Sequence, residues 1–449
     1  MAARVGTLAS LRRSVLATFL NERQFYEDGE EILARISRLA LQCDPHSVAN
    51  LAIEARKEHG LRHAPLALLV ALTRTGSGIP GLVADTVAEV VSRADEAGEL
   101  LALYWADGGR RALSSQLKKG LSRAISSFDR YQLAKYASLK ADVRLRDVMF
   151  LVRPTPAQGL AETFKDLADG RLAAADTWET ALSAGADKKD VFERLLREGR
   201  LGYLALLRNL RAMQDAKVDE GLVIDGLSAR RGARGVLPFQ FLSAAEQSPR
   251  FAVHVEAAML ANLGGMPKLK GKTVIIGDAS GSMNACLSGK SNRTRLDAQA
   301  ILMGCLVAMC EDPVVYATAG SDGLRRHDTR RVAAKAGTGM VDVMREALRK
   351  QGNGGIFLKQ CMDHVHAAEG KADRIVVFTD EQDCDISGNG APAMANAFGT
   401  RNYLINVASA KNGIGYRKWI HIDGFSEAVI KWIPAFEASE EVDLEQEAA

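Results

Sequence analysis

The chain has 449 residues, 47% of them apolar and 25% charged, a balance that fits a folded protein of two or three domains and excludes a fibrous or disordered one. It carries 58 Lys and Arg against 55 Asp and Glu, so bulk charge gives no cue to a polyanion partner. It shows no run of 18 or more apolar residues for a membrane span and no arginine-led apolar secretory segment, and its six scattered cysteines lack paired metal spacing; reduced thiols and a cytoplasmic location are the expectation.

Up to about residue 265 the pattern is helix after helix. Ile32, Ile36, Leu39 and Ala40 mark one apolar face. Asp44 and Pro45 offer an N-cap followed by proline at the first helical position, and Val48, Leu51, Ala52 and Ala55 continue at helical spacing. Pro65 opens the next element through Leu66, Leu69 and Val70, and Val83, Val87, Val90 and Val91 mark another. Short connections between many helices predict an all-α solenoid of helix pairs over residues 1–265. The segment Gly264-Gly265-Met266-Pro267 reads as a linker. Beyond it, β-rich runs at 273–278, 314–320, 374–380, 402–408 and 419–425 alternate with helical patterns at 295–311, 341–350 and 357–369. That alternation predicts a doubly wound α/β domain with a mostly parallel sheet over 271–436. From 437 to 449 an acidic tail is expected to fray. Residues 1–270 hold 38 Lys and Arg against 32 Asp and Glu, and residues 271–449 hold 20 against 23, which places any polyanion on the helical part.

One loop stands out. Val274-Ile275-Ile276-Gly277 runs into Asp278-Ala279-Ser280-Gly281-Ser282, so one carboxylate and two hydroxyls sit at the carboxyl end of a strand, where open α/β sheets place ligands. Three hard oxygens suit Mg²⁺. The module at 271–436 resembles a von Willebrand factor A domain. In that family an Asp-x-Ser-x-Ser loop, a threonine and a further aspartate form a metal-ion-dependent adhesion site; the resemblance implies Asp278, Ser280, Ser282 and Asp380 as ligands of a divalent cation. Gly354-Gly355-Ile356 stands where the family has Gly-Gly-Thr, and an isoleucine donates no oxygen, so the implied site is weakened. Thr338 and Thr294 do not fall where the pattern needs one.

The helical part carries further blocks: Phe25-Tyr26-Glu27-Asp28-Gly29, Lys118-Lys119-Gly120-Leu121-Ser122-Arg123-Ala124-Ile125, Lys135-Tyr136, Leu206-Leu207-Arg208-Asn209-Leu210-Arg211-Ala212-Met213 and Leu237-Pro238-Phe239-Gln240-Phe241. In this order, and followed by an A domain, they resemble the Ro autoantigen (TROVE) family. The resemblance implies a HEAT-like helical ring that takes single-stranded 3′ ends of misfolded RNA, an outer surface for Y RNA, and a place in RNA quality control or in a ribonucleoprotein. Leu151-Val152-Arg153-Pro154 replaces the family's histidine-bearing turn, so general RNA binding is implied ahead of a Y-like RNA. A protein partner such as an exoribonuclease would dock on the A domain.

The residues themselves support a cationic surface. Between Asp107 and Asp147 bases outnumber acids, and Lys119 and Arg123 share a helix face beside Tyr131 and Tyr136, which could stack bases. A solvated helical surface is the plainer reading of that cluster. Arg231 and Arg234 lie in a Gly-rich loop able to follow a phosphate backbone; Arg62 precedes a helix start; Arg208, flanked by Leu207 and Leu210, reads first as a buried structural residue that needs an acidic or carbonyl partner. The expected RNA contacts are therefore Arg62, Lys118, Lys119, Arg123, Lys135, Tyr136, Arg208, Arg231 and Arg234. Catalytic patterns fail. Gly76-Ser77-Gly78-Ile79-Pro80-Gly81 follows no strand and has proline where a phosphate loop needs an N–H, and His364 and His366 point to different helix faces. A carboxylate cluster from Asp380 to Asp385 has no nucleophile or base nearby. The expectation is a non-enzymatic RNA-binding protein; the alternative is a metal-dependent protein-interaction adaptor with the helical array as scaffold.

Overall fold

A computed structural model describes residues 6–18, 29–106, 109–264, 268–289, 291–351, 354–380, 384, 397–408 and 419–447. Phe25 to Asp28, linker residues 265–267, Asp107, Glu381, Asp383 and Asp385 lie outside the described residues. The helices before the first strand are α1 (Thr7–Leu16), α2 (Gly29–Ala40), α3 (Pro45–Lys57), α4 (His63–Thr75), α5 (Leu82–Val90), α6 (Ala94–Ala106), α7 (Ser115–Ser126), α8 (Arg130–Ala137), α9 (Leu145–Val152), α10 (Ala161–Asp169), α11 (Trp178–Ser183), α12 (Lys188–Arg197), α13 (Tyr203–Asp215), α14 (Glu220–Ala229), α15 (Pro238–Gln247) and α16 (Ala252–Ala261). Two compact units divide the chain: Leu33–Gly202 with Ala212–Gly226, and Met1–Ile32 with Tyr203–Arg211 and Leu227–Ala449. The second unit thus includes α1, α15, α16 and the first turns of α13 along with the sheet, rather than starting at the Gly-rich linker.

In the helical unit, local chemistry starts the helices where the sequence indicates. Asp44 Oδ2 accepts the Ser47 N–H at 2.8 Å, with Pro45 at the first helical position. Asp129 and Gln132 close a reciprocal capping box at the start of α8. Small residues let helices approach. A Cβ on Gly120 of α7 would lie 2.7 Å from the Ala84 carbonyl oxygen and 2.7 Å from Val87 Cβ on α5, so this contact requires glycine.

The second unit is built on six strands: β1 (Leu269–Asp278), β2 (Cys310–Ser321), β3 (Arg326–Val332), β4 (Ala372–Thr379), β5 (Gly399–Asn406) and β6 (Ile420–Asp423). Their order is β3-β2-β1-β4-β5-β6, with β3 antiparallel to β2 and the other neighbours parallel. The helices of this part are α17 (Arg295–Met309), α18 (Gly339–Gln351), α19 (Leu358–Glu369) and α20 (Glu427–Glu447). Strands covered on both faces read as continuous apolar runs, and Val274-Ile275-Ile276 and Ile375-Val376-Val377-Phe378 are all fully buried. Strand β3 was not expected. Its Arg326-His327-Asp328-Thr329-Arg330-Arg331 is an edge with a single buried residue, Thr329, and it lacks the apolar pattern that marks the others. All six cysteines are free thiols, three of them buried, and Cys310 opens β2 rather than continuing a helix.

The expected acidic tail needs a correction at its first residue. Glu437 lies inside α20 and is buried. Its carboxylate accepts from Arg374 Nε at 2.6 Å, Arg401 Nη1 at 2.9 Å and the Tyr403 hydroxyl at 2.9 Å. Burial raises this carboxyl, but the hydrogen bond and charge of Arg374, with Tyr403 and Arg401, outweigh burial and hold it below the ordinary glutamate range. These contacts fasten α20 to β4 and β5.

Removing one partner of a buried ion pair strands the other. Glu437→Gln is expected to lower stability by about 3–5 kcal/mol at neutral pH in urea unfolding. A depressed carboxyl stabilises only while ionised, so the gap between the two proteins narrows as pH falls through the acid range. Gly120→Ala forces overpacking between α5 and α7 and should cost about 1–3 kcal/mol in the same assay.

Candidate functional site

The strand order reverses between β1 and β4, and the carboxyl ends of those two strands hold the acidic residues that the sequence singles out. Asp278 ends β1 and Asp380 follows β4; both are fully buried. Asp278 Oδ1 accepts the Ser280 N–H at 2.8 Å, and Oδ2 accepts the Thr379 hydroxyl at 2.8 Å. Gln299 of α17 fixes the Asp278 backbone, accepting its N–H at 3.2 Å and donating to its carbonyl at 2.8 Å. The Ser280 and Ser282 hydroxyls lie 3.1 Å apart. Burial first, then the charge of Asp380, push the Asp278 carboxyl well above the ordinary aspartate range. The fold thus gathers Asp278, Ser280, Ser282 and Asp380 at one sheet edge.

Whether these residues fit a divalent cation is decided by Arg295. This first residue of α17 is fully buried, and its Nη1 lies 3.1 Å from Asp380 Oδ2. A fixed monocation therefore holds the carboxylate that a metal would need. Both Asp278 oxygens accept hydrogen bonds from the protein, and the two serines are hydrogen-bonded to each other. Ile356 is buried in the apolar cluster with Val274, Ile276, Leu358 and Val377, so its side chain belongs to the core. Thr294 caps α17 and Thr338 binds Glu256 Oε1. Mg²⁺ demands a near-octahedral oxygen set at short range, and this arrangement does not fit it. The sequence reading missed Thr379, which directly precedes the marked Asp380, and Arg295, which lies 13 positions beyond Ser282 and in no motif.

The basic residues of the helical unit have different fates. Arg62 is a structural hub rather than a surface reader: its guanidinium binds Asp95 Oδ2 at 2.7 Å and also pairs with Glu99. Lys118, Lys119 and Arg123 lie exposed on α7, and Arg123 pairs with Asp85 of α5. Lys135 is exposed, with its ammonium 5.8 Å from the Tyr136 ring centre, and Arg93 lies over the same ring at 5.2 Å. Arg111 over Tyr104 at 4.2 Å, Arg110 over Trp105 at 5.5 Å and Arg146 over Phe150 at 5.6 Å repeat the pattern. Cations on aromatic faces keep their outer side open to a second stacking or phosphate partner.

Arg208 corrects a second expectation, that of a buried structural residue. It is exposed, and among the described residues neither it nor Arg211, one turn on, makes an ion pair. The buried member is Asn209, which donates to the Ala205 carbonyl at 2.8 Å. Both arginines line a cavity of about 410 Å³ with Leu207, Phe239, Gln240, Gln247, Ser248 and Arg293, within the usual size range for small-ligand sites. Arg293 is buried and held in place, donating from Nε to the Ser243 hydroxyl at 2.8 Å and pairing with Glu246 at 2.5 Å. Ser248 is 1% exposed, and its hydroxyl has no hydrogen-bond partner among the described residues. Two sequence blocks far apart in the chain, 206–213 and 237–241, meet here. Arg211 belonged to one of them and, three residues from Arg208, shares its helix face; that spacing was the available signal. Arg293 and Ser248 carried none. Arg231 is exposed, and Arg234, also exposed, exerts its charge on the buried Glu427. His364 and His366 do diverge: His364 sits beside His327 and His366 stacks on Phe398.

Comparison with known proteins accords with this geometry. No curated protein matches the sequence. Residues 165–253 match the family model of the TROVE domain, a span that contains both helices, α13 and α15, flanking the arginine-lined cavity. Among solved structures the chain is similar to the crystal structure of Deinococcus radiodurans RO (RSR) protein, with 18% identity, 96% of this chain and 99% of that one covered, and a TM-score of 0.59. The likeness to that protein is one of fold along nearly the whole chain, and the TROVE-domain match lies within it over residues 165–253.

Proposed function

We propose that this chain is an RNA-binding protein of the Ro type, which holds single-stranded RNA through Arg208 and Arg211. The observation that carries this reading is their cavity. Two guanidiniums without ion pairs flank amides, a partnerless buried hydroxyl and an apolar floor of Leu207 and Phe239. Guanidiniums take phosphate oxygens in pairs, the amides suit base edges, and the floor suits a base face. The exposed Lys118, Lys119 and Lys135, with the cation-topped aromatic rings of the helical unit, supply a second cationic surface for the same polyanion. The bound strands are the unpaired ends of noncoding or misfolded RNAs, taken up for quality control or as part of a ribonucleoprotein. A Y-like RNA would use the α7–α9 surface, and an exoribonuclease would be the kind of protein partner to dock on the α/β part. The role is one of binding, without catalysis. Among the described residues no helix is long and apolar enough to cross a membrane.

Binding that neutralises about four phosphates on a single strand gives a log–log salt slope near −3. Arg208→Glu with Arg211→Glu should weaken binding of a tailed RNA at least about tenfold in fluorescence anisotropy and flatten that slope by about 1.4, the share of two phosphates. Unchanged affinity in the folded double variant would refute the assignment. Lys119→Glu with Arg123→Glu should weaken binding severalfold at low salt and less at high salt. Arg62→Ala should lower the melting temperature and leave the affinity of the folded protein alone.

A further inference from the structure

We infer that Arg295 is a built-in cation that replaces a divalent metal at the carboxyl ends of β1 and β4, so that this sheet edge is permanently assembled and independent of metal. The inference rests on four contacts. Arg295 Nη1 is 3.1 Å from Asp380 Oδ2 with both side chains at 0% exposure. Asp278 spends one oxygen on the Ser280 N–H and the other on the Thr379 hydroxyl. Ser280 and Ser282 are bonded to each other at 3.1 Å. Ile356, at the position where a third loop would have to supply an oxygen, is packed into the core.

These contacts work together. A buried carboxylate needs a counter-charge, and a guanidinium supplies one that no chelator removes and no ordinary pH discharges. Adding Mg²⁺ would set a dication beside a buried guanidinium, in a space where repulsion is weakly screened. Arg295 is also well anchored, because it opens α17, whose first turn is capped by Thr294 and Asp297 acting reciprocally. Asp297 in turn pairs with Arg345 at 2.8 Å, so the start of the helix is pinned from a second side. The consequence is functional. A metal in such an edge keeps one coordination position open for a partner's carboxylate; a fully buried guanidinium held against Asp380 presents no such position to a partner. Partners of this part of the protein must therefore be recognised by other surfaces and without a metal, whatever the helical unit binds.

The experiment uses the full-length protein, stripped of nucleic acid. Metal content after desalting is measured by plasma mass spectrometry, and melting temperature is followed in EDTA and in millimolar Mg²⁺ or Mn²⁺. A ligand at about 100 times its Kd raises a melting temperature by several degrees. The wild type is expected to carry far less than one metal per chain and to melt within about 1 °C in all three conditions, well inside that several-degree signature of bound ligand. Arg295→Met keeps the unbranched stem of the side chain and removes the charged guanidinium head; it should melt lower in EDTA and recover several degrees on addition of Mg²⁺ or Mn²⁺. One equivalent of tightly held metal in the wild type, or a rise of several degrees with Mg²⁺, would overturn the inference. So would a folded Arg295→Met protein as stable as the wild type in EDTA. If that variant does not fold in any condition, the wild-type measurements decide alone. Because no readout involves RNA, failure here leaves the RNA-binding proposal untouched, and the converse also holds.

Discussion

Parallel pairing of β1 with β4 carries two aspartates to the same buried edge, and everything about that edge follows from the need to compensate them. Two carboxylates out of water cannot both remain charged without a counter-ion. Arg295 supplies one charge from the start of α17, and hydrogen bonds from Ser280 and Thr379 take up the other residue's oxygens. Gln299, one turn further along α17, ties the same helix to the Asp278 backbone. Sheet order, helix position and charge compensation are therefore a single device, and a residue absent from any motif completes it.

The arginines of this chain show how little residue type alone decides. Arg62 meets Asp95 and Glu99, Arg123 meets Asp85, Arg293 meets Glu246, and Arg374 meets Glu437. All of these are engaged in holding structure, with the surface pairs worth little and the buried ones strongly felt when broken. Arg208 and Arg211 have no such partner among the described residues and lie beside a cavity. An unpaired guanidinium costs nothing to keep in water and keeps its full capacity for a phosphate, which is why these two, and not the more numerous bases of α7 and α8, carry the functional proposal.

Much of the fold was legible because it is written in local periodicity. Helical spacing through residue 261, the Asp44–Pro45 start of α3 and the apolar runs of β1 and β4 each arise from neighbours in sequence, and each formed as read. Strand β3 was not legible, since an edge strand with polar residues on both faces has no apolar alternation to detect. Glu437 misled for a related reason. In a run of glutamates nothing local separates the one that meets Arg374, Arg401 and Tyr403 from those that follow it.

The sequence by itself determined the run of helices, the apolar strands that follow it, the placement of Asp278, Ser280 and Ser282 at a strand end, and the blocks that resemble the TROVE family, because periodicity, capping and loop chemistry act over a few residues. Tertiary structure alone decided which charges find each other: Arg295 with Asp380 across 85 positions, Arg374 with Glu437 across 63, and Arg208 and Arg211 with no carboxylate among the described residues. Electrostatic energy depends on distance and burial in space, and neither is encoded by spacing along the chain.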